Sequence, residues 1–135
     1  MKISMSSYQV SAKELEAVLK LSGNDRYKRF VKLVADWEEA WGLYDEGWAL
    51  ANDDDGNSVF LLWPADKFAE ICATDDWGRY KPTAIPLTEL INDLLPMLKE
   101  DSILPGIFYI PKGSGVTPSV DRLIADLKME ASKYE

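Results

Sequence analysis

AWGLYDEGWALANDDDGNSVFLLWP, residues 40–64, decides the fold. Three short aromatic-rich runs alternate here with two acidic turns, Asp45-Glu46-Gly47 and Asp53-Asp54-Asp55-Gly56-Asn57. Apolar runs separated by Asp/Gly clusters are the pattern of a three-stranded meander. The spacing predicts strands at Trp41–Tyr44, Trp48–Asn52 and Ser58–Trp63. The run Val59–Trp63 is apolar at every position, as in a strand covered on both faces. Pro64 ends it, because proline lacks the ladder donor.

Upstream, Ser11 with Glu14 forms a capping box for a first helix carrying Leu15, Val18 and Leu19, and Gly23 is its expected stop. A second helix is expected from Asn24 or Asp25, since Tyr27, Phe30, Val31, Val34 and Trp37 recur at helical spacing. Downstream, a third helix carries Phe68, Ala69, Ile71 and Cys72, and residues 74–83 read as a loop. Leu87, Leu90, Ile91, Leu94, Leu95 and Leu98 give a fourth helical stripe, with a kink or an end expected near Leu95 before Pro96. Ile107–Ile110 reads as the fourth strand, Lys112–Gly115 as a flexible loop, and Thr117-Pro118 as the opening of a last helix.

The expected fold is therefore α+β, in the order αα-βββ-αα-β-α. It has one four-stranded mixed sheet, the antiparallel meander plus the later strand, packed by about five helices on both faces. The connection from third to fourth strand is long enough for a right-handed crossover and a parallel pair. Residues 1–10 are expected as a flexible lead-in and 11–135 as a single globular domain.

Composition narrows the chemistry. Of 135 residues, 47% are hydrophobic and 28% charged, the balance of a globular chain that buries a core. A formal charge of −8 disfavours nucleic acid and anionic membrane as partners, both being polyanions. MKISMSSYQV lacks an apolar run of secretory length, and the single cysteine suits a reducing compartment, so the expected location is cytoplasmic. Without histidine, neither Ser-His-Asp nor Cys-His catalysis can be assembled, nor a His-based zinc site. No catalytic residue, metal ligand or cofactor is assigned.

The motifs Trp41–Leu43, Gly47–Leu50, Asp53–Gly56 and Trp63-Pro64, followed by Trp77, Tyr80 and Pro82, resemble a small bacterial family, the domain of unknown function numbered 2750. The resemblance spans about Asp25 to Pro111, and Leu61 stands where the family pattern has proline. It implies a one-domain, cytoplasmic bacterial protein and brings no activity, cofactor or site residue with it.

Asp75-Asp76-Trp77-Gly78-Arg79-Tyr80-Lys81-Pro82 is the best candidate surface, because it joins carboxylates, two aromatics and two cations on one connection. Trp77, Arg79, Tyr80 and Lys81 are its candidate binding residues. Arg79 has the planar fork that clamps an anion; the structural reading instead pairs it with Asp75 or Asp76. Gly113, Ser114 and Gly115, in the 112–118 loop, suggest a phosphate or nucleotide site ahead of a helix N-terminus, although the Lys precedes the glycines and no Walker pattern forms. Asp53–Gly56 fails as a calcium loop, with Ala51 and Leu62 where carboxylates are needed, and reads as a hairpin turn. The strand tryptophans and Cys72 read as core, and Arg26, Lys28, Arg29 and Lys32 as a solvated face or as salt-bridge partners for the acidic turns. The preferred expectation is a non-catalytic module that binds another protein, with homodimerisation left open. A phosphate- or nucleotide-binding accessory domain and a small carboxylate-dependent enzyme are the alternatives.

Overall fold

A computed structural model describes residues 7–113 and 115–134. Residues 1–6 of the expected lead-in, together with candidate Ser114 and Glu135, lie outside the described residues.

Helix α1 (Ala12–Val18) starts where Ser11 accepts from the Glu14 N–H at 3.1 Å. The Glu14 carboxylate meanwhile takes the Tyr8 hydroxyl and Arg29. Tyr8 also meets Trp37 edge-on, so this part of the lead-in is held against α2 (Gly23–Trp37). Gly23 opens α2 instead of stopping α1. Ser22 supplies the N-cap by accepting from Asp25 N–H, and that bond fixes the boundary one residue before the glycine. Of the predicted stripe, Tyr27, Phe30, Val31 and Val34 are buried and Trp37 is half-buried.

The single four-stranded sheet is corrected to two sheets with five strands, while the α+β class stands. Strand β1 (Glu39–Tyr44) pairs antiparallel with β4 (Lys81–Pro86), and β3 (Ser58–Leu62) lies between β2 (Leu50–Asn52) and β5 (Leu104–Ile107). The β2–β3 hairpin is as expected, and β3 and β5 are parallel, Val59 opposite Leu104 through Leu62 opposite Ile107. The meander fails between β1 and β2: the residues leading into β2 touch β1 through the Tyr44–Trp48 bridge and the Ala49 N–H to Leu43 carbonyl bond, and β2 itself forms no ladder with β1. Trp41 instead exchanges both backbone hydrogen bonds with Trp63, at 2.8 Å each, and so joins the two sheets.

Strand β4 begins inside the stretch expected as loop, 74–83, and runs on to Pro86, and its two prolines hide it. Since Trp41 spends its N–H and C=O on Trp63, Ala84 opposite it is in a non-hydrogen-bonded pair. Pro82 and Pro86, two residues either side, share that phase, and neither is asked for a donor. Strand β5 lies earlier than the predicted Ile107–Ile110. Pro105 and Gly106 look like breakers in sequence, yet Gly106 is what lets β5 approach: a Cβ there would lie 2.3 Å from Val59 Cγ1.

Between β3 and β4 stands α3 (Asp66–Cys72). After β4, α4 (Leu87–Glu89), a π-helical segment (Leu90–Leu94) and α5 (Leu95–Glu100) run on as one composite helix, so five helices are present among the described residues. Pro96 neither ends nor simply kinks it. The turn before the proline widens, with Leu95 N–H bonding Leu90 O, which absorbs the crowding that Pro96 brings to the turn behind it. Helix α6 (Val120–Ala131) begins after Thr117-Pro118, where Ser119 caps it through Arg122 N–H. Helix α2 packs on α6, β1 and β5, while α3 covers β1 and β4. Trp63, Phe30, Phe68 and Phe108 fill the core between them. No helix among the described residues is long and apolar enough to cross a membrane.

Candidate functional site

Two segments far apart in sequence form one concavity. The first follows α3, where Asp75 takes a left-handed backbone (φ 52°) and Asp75–Trp77 closes a 3-10 turn, with Trp77 N–H bonding Thr74 O. The second follows β5. Phe108, also left-handed (φ 59°) although bulky and fully buried, turns the chain out of the sheet. The chain then doubles back, Ile110 bridging Gly113 and Ile107 bridging Val116.

The second segment is fastened from below. The Tyr109 carbonyl accepts from Trp63 Nε1 at 2.9 Å and from Cys72 Sγ at 3.5 Å, tying it to the end of β3 and to α3. Arg26, only 4% exposed, donates Nε–H to the Phe108 carbonyl and Nη1–H to the Leu21 carbonyl. A Cβ on Gly115 would lie 2.0 Å from Ile107 O and 2.8 Å from Tyr109 Cδ1. Gly115 is therefore a packing requirement where the chain returns past β5, and Gly113 donates to Ile110 O at 3.2 Å.

Between the segments lies a cavity of about 260 Å³, lined by Trp63, Cys72 and Thr74 with Asp75, Asp76 and Trp77 on one side and Tyr109, Ile110, Pro111 and Gly113 on the other. Among the described residues no lysine or arginine lines it. Asp75 and Asp76 are solvent-exposed and make no ion pair with Arg79; none of the ion pairs among the described residues involves these three side chains. Burial pushes the Cys72 thiol up to about 11, against the lowering effect of Trp63, so the sulfur is a neutral thiol at neutral pH. That is the core role read from its neighbours.

Of the candidate residues, Trp77 and Gly113 meet in this cavity. Tyr80 and Lys81 instead line a separate, more open depression with Trp41, Asp66, Glu70 and Pro82, while Arg79 is exposed and lines neither. Residues 116–119 separate Gly115 from α6, whose N-cap Ser119 accepts from the Arg122 N–H. The predicted cationic face breaks up: Arg26 is buried and Arg29 pairs with Glu14 at 2.6 Å, while Lys28 and Lys32 stay exposed. Asp53 accepts from the Asp55 and Asn57 backbone and from Asn57 Nδ2, a hairpin-turn role as expected. Among the described residues no group of three or more His, Cys, Asp or Glu is placed to hold a metal ion.

Sequence reasoning missed Tyr109 and the part Trp63 and Cys72 play beneath it. Their signal was faint: an aromatic at the end of an apolar run, and a strand-terminal tryptophan whose ring nitrogen needs an acceptor once buried.

A family model described as "Protein of unknown function (DUF2750)" matches residues 27–127, which include every residue of the cavity. No curated protein matches the sequence, and no solved structure matches it.

Proposed function

We propose, for a chain that belongs to the DUF2750 family of proteins of unknown function, that it is a non-catalytic binding module of the bacterial cytoplasm. Its contact surface is the cavity between Thr74–Trp77 and Tyr109–Gly113, and its partner is another protein. One observation carries this reading: two loops distant in sequence converge on a concave, aromatic-walled space held by a buried scaffold. Binding residues gather on loops fixed in this way. At about 260 Å³ the cavity falls below the roughly 300–1,000 Å³ of sites that enclose whole small ligands, and suits one protruding side chain of a larger partner. The chain's single cysteine, held as a neutral thiol, and its lack of histidine favour recognition over bond-making.

The test is capture from a bacterial lysate by the wild-type protein, by Trp77→Ala and by Thr74→Phe, the last placing bulk at the cavity wall. A partner retained by wild type and lost by both variants, at unchanged melting temperature, supports the reading. Equal recovery by all three removes the cavity from consideration.

A further inference from the structure

We infer that the outer edge of β4 is shut against a second copy of this chain, and that Pro82 and Pro86 are what shuts it; the inference is independent of the cavity. A strand edge with open N–H and C=O groups is a template for pairing with another chain. The β4 edge is the longest of this kind among the described residues. Strand β3 has a neighbour on each side, and β1 spends its other side on Trp63 and on the Ala49 N–H. The outer side of β5 is taken at Ile107, which exchanges both backbone bonds with Val116, and β2 is only three residues long. Strand β4 has six residues and no strand beyond it.

The phase of the ladder decides what that edge offers. Trp41 turns its N–H and C=O away from β4, so Ala84 opposite it turns its own outward, and Pro82 and Pro86 share that phase. Lys81, Thr83 and Ile85 point theirs at β1. No hydrogen bond outside the ladder reaches Pro82, Ala84 or Pro86 among the described residues, so the edge is not used within the fold. Ala84 and Pro86 are exposed and Pro82 is half-buried, which places the edge at the surface. An incoming strand therefore finds a single donor, the Ala84 N–H. At 82 and 86 the pyrrolidine ring stands where the donor would be and crowds the carbonyl that would approach it. Lys81, exposed at the start of the strand, adds a charge of the kind that guards free edges. Any proline inside a strand must turn its nitrogen outward, so orientation alone argues nothing. What argues is number: the longest free edge has lost two of its three outward donors, while every residue facing β1 keeps its own.

The experiment restores the donors. Pro82→Thr/Pro86→Thr adds two outward N–H groups and leaves the bonds to β1 in place. Sedimentation equilibrium follows the mass from about 10 μM to about 0.5 mM, the range in which open edges associate. Amide exchange at Ala84 is measured at both ends of that range. The wild-type Ala84 amide is expected to exchange fast at either concentration. The double variant is expected to gain mass with concentration, reaching at least about 1.5 times the wild-type value, and to protect the Ala84 amide as it does so. Adding Ala84→Pro to the double variant puts a ring back on the same edge and is expected to return the mass to that of wild type. A folded double variant that matches wild type in mass at every concentration overturns the inference. Growth that Ala84→Pro leaves undiminished overturns it too, because association then runs through another surface. Slow exchange of the wild-type Ala84 amide overturns it without any variant, since the edge would then already be paired.

Discussion

The indole Nε1 of Trp63 donates to the backbone carbonyl of Tyr109 at 2.9 Å, joining residues 46 apart in the chain. Trp63 is fully buried, so its ring N–H depends on this acceptor. Its loss leaves Cys72 Sγ, at 3.5 Å, as the carbonyl's other side-chain donor. Trp63→Phe is expected to cost about 2–4 kcal/mol, part from the bond and part from the smaller ring. Urea denaturation measures it. A cost under about 1 kcal/mol would mean the bond does not hold the segment after β5.

Arg26 should prove more sensitive than its neighbours on α2. Its guanidinium serves the Phe108 and Leu21 carbonyls inside the protein, whereas Lys28 and Lys32 are exposed. Arg26→Met strands both carbonyls and is expected to cost about 3 kcal/mol or more, against about 0.5 kcal/mol or less for Lys32→Met. Similar melting temperatures for the two variants would contradict this assignment.

The glycines separate cleanly by what surrounds them. Alanine at Gly106 or Gly115 would meet Val59 Cγ1 at 2.3 Å or Ile107 O at 2.0 Å, while nothing lies within 4 Å of a Cβ at Gly47. Gly106→Ala and Gly115→Ala are expected to lower stability by about 2–4 kcal/mol, and Gly47→Ala by about 0.5 kcal/mol or less. Thermal unfolding in parallel decides it, and equal shifts for the three would refute the packing argument.

Cys72 gives a pH signature. In the unfolded chain its thiol ionises near 9.0; in the folded protein burial holds it neutral to about 11. Rising pH therefore favours the unfolded chain. The contribution is complete below pH 9.0, falls as pH rises, and is lost through about 11, on the order of 2 kcal/mol. Tyr27 is shifted the same way, by burial first and then by its bond to Asp126, so a further loss begins above pH 10.0. Stability measured from pH 8 to 11 should fall less in Cys72→Ala than in wild type. Parallel curves would exclude the thiol as the source.

What could be read from residues alone followed local chemistry. The α2 stripe, the Asp53 turn with its β2–β3 hairpin, and the β3–β5 parallel pair rest on periodicity, turn residues and unbroken apolar runs. The hidden elements depended on partners. Strand β4 carries two prolines that are harmless only because of where Trp41 bonds, and the true start of β5 depends on a glycine whose necessity lies on another strand. The site was half legible: Trp77 and Gly113 stood out, but nothing local announces that Phe108 adopts a left-handed backbone and brings their loops together.

The parallel pairing of Val59–Leu62 with Leu104–Ile107 also sets a timetable for synthesis. While the ribosome is still making the composite helix, the middle strand has one neighbour and presents its other side bare, with five consecutive apolar side chains through Trp63. That side closes only after β5 has left the exit tunnel. Until then the nascent protein carries an open, sticky edge, and this interval is when it most needs chaperone shelter.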